Sequence, residues 1–120
     1  LEIKDAWVRA APPNARVMVG YATITNTSEY KIWVTGVGSE GFGAVEMHET
    51  IEENGMATMI HLDFIKLEPG QTVNFKPGGK HFMLFRPVAP TKVGDTINFY
   101  LHLGNGDKLN FTTEVLKNKN

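Results

Sequence analysis

Nowhere in this sequence do apolar residues recur at helical spacing for long enough to bury one face of a helix. What recurs is short apolar–polar alternation, closed off by Gly, Pro, Asn or Asp. Residues Ile3 to Ala10, Val17 to Thr25, Lys31 to Val37, Ala44 to Ile51, Ala57 to Leu67, Gln71 to Phe75, Lys80 to Phe85, Thr96 to Leu103 and Lys108 to Leu116 all read as strands. Between them stand turn signals such as Pro12-Pro13-Asn14, Asn54-Gly55, Pro69-Gly70, Pro77-Gly78-Gly79, Gly94-Asp95 and Gly104-Asn105-Gly106-Asp107. Strands at this spacing predict an all-β sandwich or barrel with Greek-key connections. At 120 residues, the expected organisation is one β domain spanning 1–120, large enough to bury a core without staples.

The hairpin around Asn54-Gly55 makes the sharpest local prediction. A two-residue turn there pairs Glu53 with Met56, Thr50 with Met59 and His48 with His61. His48, Met59 and His61 then share one face, with His48 and Met59 as diagonal neighbours. A separate strand carries His81 and Met83, which alternate with Phe82 and so point from the same face. The full spacing is His48-x10-Met59-x21-His81-x-Met83, in a chain with no cysteine. Thioether sulfur is a poor ligand for most divalent metals but suits Cu(I), and imidazole completes a mixed site. Taken singly, each residue has an ordinary reading: His48 as a strand histidine, His81 as a polar turn neighbour, Met59 and Met83 as flexible core fillers. The copper reading rests on the four together. Met47 is expected on the opposite face, in the core; Met56 flanks the turn, and Trp7 and Trp33 read as core aromatics.

Other chemistries fall away. A formal net charge of −1 leaves no basic stripe for nucleic acid. The absence of cysteine removes disulfides, zinc–thiolate sites and thiol catalysis, and with them a blue-copper centre. Gly36-Val37-Gly38-Ser39-Glu40-Gly41 fits the dinucleotide-binding string, but Phe42 to Met47 behind it reads as loop and strand rather than the required helix. His48-Glu49 has no second histidine at helical spacing, so no zinc-protease motif is present, and no enzyme activity is expected. No apolar run reaches the length of a membrane span. The first residue is Leu1 and no signal peptide is present, which suggests a processed or trimmed chain.

The ligand spacing resembles the signature of the PCu(A)C family of periplasmic copper chaperones. The resemblance covers nearly the whole chain, through Asp5-Ala6-Trp7-Val8-Arg9-Ala10, Gly20-Tyr21-Ala22-Thr23-Ile24-Thr25-Asn26, His48-Glu49-Thr50, Glu53-Asn54-Gly55 and Lys76-Pro77-Gly78-Gly79 before His81. It implies a cupredoxin-like Greek-key fold and a Cu(I) site of His48, Met59, His81 and Met83. His61, absent from the family pattern, is then expected outside the ligand set. The resemblance also implies the periplasm or the outer face of the cytoplasmic membrane, and a monomer is expected. It would deliver copper to the dinuclear centre of cytochrome c oxidase, alone or with a thioredoxin-like copper chaperone. Rival expectations are a copper storage or resistance protein and a metal-free β-sandwich interaction module. Some relatives carry a His- and Met-rich carboxy-terminal tail. The sequence ends Leu116-Lys117-Asn118-Lys119-Asn120 without one, so a tail-based Cu(II) site is not expected.

Overall fold

A computed structural model describes residues 1–118; Lys119 and Asn120, the last two residues of the segment on which the absence of a metal-binding tail was expected, lie outside the described residues. Ten strands form: β1 (Glu2–Arg9), β2 (Val17–Thr25), β3 (Ile32–Gly38), β4 (Phe42–Glu53), β5 (Met56–Leu62), β6 (Ile65–Leu67), β7 (Thr72–Phe75), β8 (Lys80–Pro87), β9 (Thr96–Leu103) and β10 (Lys108–Leu116). They join in one sheet, ordered β5-β4-β8-β7-β2-β1-β10-β9-β3-β6, with β8 also pairing β2. Most pairs are antiparallel; β1 with β10 and β7 with β8 are parallel. This is the expected all-β, cupredoxin-like architecture, with its non-sequential crossovers.

Aromatic rings hold the sheet curled on itself. Phe75 and Phe82 stack at 4.2 Å, Phe82 meets Phe99 edge-on at 6.0 Å, and Phe99 lies 5.3 Å from Phe111. These rings join β7 and β8 to β9 and β10. The alternation of β8 therefore splits its work: Phe82 and Leu84 enter the core, while His81 and Met83 point to the other face. Asn26 is fully buried at the end of β2. Its amide donates to the carbonyls of Tyr30 and Leu67 at 2.7 and 3.0 Å, pinning the following loop to β6.

Two sequence expectations change. The run Ala57 to Leu67 is two strands, because β5 pairs with β4 whereas β6 pairs with β3; the chain switches edges at Asp63-Phe64. Trp33 is 40% exposed rather than core, and packs on Phe64 at 5.1 Å under the Lys66 ammonium. Trp7 is a buried core aromatic, as expected, with its ring tilted against Tyr21 at 4.9 Å and the Arg9 guanidinium 5.6 Å from both rings. A register shift between Lys4 and Trp7 in the β1–β2 pair precedes this cluster. Gly36 to Gly41 leads straight into β4, as expected. A Cβ on Gly38 would lie 2.5 Å from the Tyr100 ring, so close packing accounts for that glycine without a nucleotide.

Candidate metal centre

The β4–β5 hairpin has the predicted register. Its turn places Asn54 at φ 52° and Gly55 at φ 79°, both left-handed, the geometry of a two-residue type I′ connection. Glu53 pairs with Met56, Thr50 with Met59 and His48 with His61. On the other side, β4 pairs β8 with His48 opposite His81 and Glu46 opposite Met83. Directly paired residues share a face. One face of the β5-β4-β8 ribbon thus carries Met59, His61, Glu46, His48, His81 and Met83. The fold joins the two halves of the sequence pattern that spacing alone could not.

Burial grades across this face. His81 is 5% exposed, the His48 side chain 15%, and Met83 is partly buried, while Met59 is 56% exposed. The His48 and His81 rings lie 5.8 Å apart, and Phe85 closes the apolar side 6.5 Å from His48. A turn over Lys76–Lys80 presents the Gly79 carbonyl, which accepts the Thr50 backbone N–H at 3.1 Å and the His81 Nδ1–H at 3.3 Å. That single oxygen ties the end of β8 to β4.

Each imidazole has one nitrogen engaged and one without a partner. His48 donates from Nε2 to Glu46 Oε1 at 2.8 Å, whereas His48 Nδ1 and His81 Nε2 are buried with no hydrogen-bond partner. Buried nitrogens rarely go unpaired, because leaving one so costs about 1–3 kcal/mol. Burial pushes His81 below the ordinary histidine value; the Gly79 carbonyl opposes this and the neighbouring His48 adds to it. The shift favours the neutral ring, the form that can bind a metal.

His61 sits beside the pair but is engaged elsewhere. Its ring meets His48 edge-on at 5.5 Å and is half exposed, with Nδ1 3.2 Å from Asp63. Met47 is buried on the opposite face and Met56 is 70% exposed at the turn, both as expected. Among the described residues, no group of three or more His, Asp or Glu is placed to hold a metal ion. The other soft donors that the register puts on this face are the thioethers of Met59 and Met83. Sequence reasoning missed Glu46 and the Gly79 carbonyl. The first was legible as Glu46-x-His48 alternation on a strand; the second depends on the fold.

A profile of the LpqE-like lipoprotein family matches residues 1–115. Lxx21020 of Leifsonia xyli subsp. xyli, whose name classes it as a lipoprotein, is 29% identical over 107 residues, covering 88% of this chain and 63% of that protein. The chain spans less than two thirds of the length of the relatives it matches by sequence. Among solved structures, the Cu(I) form of DR1885 from Deinococcus radiodurans superposes with a TM-score of 0.75 at 32% identity, covering 94% of this chain and 76% of that one. The copper-bound PCuAC domain from PmoF2 gives 0.76 at 23% identity, over 94% of this chain and 89% of that one, a likeness of fold.

Proposed function

The chain belongs to the LpqE-like family of PCu(A)C-type domains, and from that premise we propose that it binds one Cu(I) ion through His48, Met59, His81 and Met83 and hands it to an acceptor protein. The observation that carries this reading is the pair of buried, unpartnered imidazole nitrogens on one face with two methionines. A metal-free interaction module gives no reason to bury two lone pairs unpaired. That DR1885 has a Cu(I) form supports the choice of ion.

The donor set suits capture and release. Thioethers bind a soft monovalent ion without competing for protons, and the imidazoles compete only where they are protonated. All four donors are neutral, so bound Cu(I) keeps its positive charge and exchange toward an anionic thiolate acceptor is favoured. Thioethers form no disulfides, which helps in an oxidising compartment. The lipoprotein description of the family supports an extracytoplasmic location, the periplasm or the outer face of the cytoplasmic membrane. No helix among the described residues is long and apolar enough to cross a membrane. In this reading residues 1–120 act as one copper-carrying β domain. Its acceptor is the dinuclear copper centre of cytochrome c oxidase, with a thioredoxin-like copper chaperone as a partner.

The test is a Cu(I) titration against a competing chelator, followed by transfer to an apo acceptor carrying that dinuclear site. X-ray absorption on the loaded chain should show mixed nitrogen and sulfur ligation at one site per chain. A first shell of nitrogen and oxygen alone would sink the assignment. Copper that is bound but never released to any acceptor would favour storage instead.

A further inference from the structure

The two site histidines use different nitrogens for their hydrogen bonds, and this asymmetry has a chemical consequence. A neutral imidazole carries one N–H and one lone pair, and an adjacent oxygen acceptor decides which nitrogen holds the proton. An ionised carboxylate and a backbone carbonyl can only accept. Glu46 therefore places the His48 proton on Nε2, and the Gly79 carbonyl places the His81 proton on Nδ1. The lone pairs left over are His48 Nδ1 and His81 Nε2, the two buried atoms without a partner.

Building on the Cu(I) reading of this site, we propose that Glu46 is a positioning residue that fixes the His48 tautomer, so that His48 binds the ion through Nδ1 and His81 through Nε2. Glu46 lies two positions before His48 on β4, on the same face, and directly opposite Met83. Its Oε1 is 2.8 Å from His48 Nε2 but 4.0 Å from His61 Nε2, while Asp63 holds the other nitrogen of His61. The carboxylate is thus committed to His48. As a hard anionic oxygen it is a poor ligand for Cu(I), so its place beside the site is explained by the ring it orients.

Long-range proton–nitrogen correlation spectra of the histidine rings test this without copper. The apo chain should show His48 protonated at Nε2 and His81 at Nδ1. A His48 proton on Nδ1 overturns the proposal whether or not copper binds. On adding Cu(I), the ring nitrogens that shift should be His48 Nδ1 and His81 Nε2; a shift at His48 Nε2 overturns it equally. Glu46→Leu removes the acceptor and should weaken Cu(I) binding about 10- to 100-fold, with loss of the single His48 tautomer. Glu46→Gln keeps a carbonyl oxygen and should restore both most of the affinity and the tautomer, which a purely electrostatic role would not do; a purely space-filling role would restore affinity without fixing the tautomer. Should Glu46→Leu fail to fold, the unaltered and Glu46→Gln spectra still decide the matter. An unaltered chain that shows the expected tautomers but no Cu(I) affinity would refute the proposed function and leave the tautomer assignment standing.

Discussion

The two halves of the candidate centre are built on different mechanical footings. His48, His81 and Met83 come from β4 and β8, which are flanked on both sides in the sheet and fixed on their reverse face by Met47, Phe82 and Leu84. Met59 comes from β5, the end of the strand order, on a hairpin that runs past the last β4–β8 pair at Glu49 and Lys80. Its residues Met56 to His61 are all exposed. One half is pre-formed, with rings locked by hydrogen bonds; the other is a single thioether on an exposed ribbon. An edge strand opens locally at lower cost than a central one. Under the proposed Cu(I) reading, this contrast would leave retention of the ion to the β4–β8 half and exchange to Met59, which an incoming acceptor ligand would replace first.

The largest effect should come from the buried half. Met83→Leu conserves volume and deletes the sulfur, so unfolding free energy should change by less than about 1.5 kcal/mol. Cu(I) affinity in a chelator competition should fall by more than the roughly 10- to 100-fold typical of losing a residue that only orients a ligand. His81→Ala should weaken binding as strongly, with an added stability loss because the ring is buried. Unchanged affinity with a large stability cost in Met83→Leu would restore the core-methionine reading.

Met59→Leu should cost less, about tenfold in affinity, or about 1.4 kcal/mol, and should alter the rate of transfer to an apo acceptor more than Met83→Leu does relative to its affinity loss. Equal losses in both methionine variants, with equal effects on transfer, would erase the distinction between the halves. His61→Ala should be smaller still. Its ring is half exposed and bound to Asp63, so the competition assay should hardly move, whereas His48→Ala should lose binding. The reverse ranking would mean that the two imidazoles have exchanged roles.

Why one half could be read from the sequence and the other only in part follows from locality. The β4–β5 register was legible because Asn54-Gly55 dictates the turn and an even loop keeps His48 and Met59 on one face. The shared face of His81 and Met83 followed from strand alternation alone. That His81 would lie opposite His48 was not legible, since it depends on β8 choosing β4 as a neighbour across more than thirty residues of chain (residues 48 to 81). Nor was the Gly79 carbonyl, a backbone atom with no sequence signature. Trp33 misled for a related reason: aromatic character signals packing, but Phe64 and Lys66 provide that packing at the surface. The break at Asp63-Phe64 was hidden because both flanking segments alternate correctly and only their partners differ.

The smallest predicted effect concerns pH and the buried half alone. In the folded apo chain His81 is held below its ordinary value of 6.5, first by burial, with the Gly79 carbonyl opposing and His48 reinforcing the shift. Between the lowered value and 6.5 the unfolded chain therefore binds more protons than the folded one, so stability rises with pH in that window. His81's contribution is fully present above about 6.5 and is lost as pH falls through the lowered value. Thermal unfolding of the apo chain, with a chelator present to keep metal away, should show a melting temperature that declines on acidification below neutral. The His81→Ala variant should show a shallower decline over the same range, since its side chain no longer resists protonation. His48, whose charge couples to this ring, and Glu46 on the same face are retained in the variant. Parallel curves would mean that the ring is no more shielded than the exposed half of the site, and the graded burial across the ribbon would lose its chemical meaning.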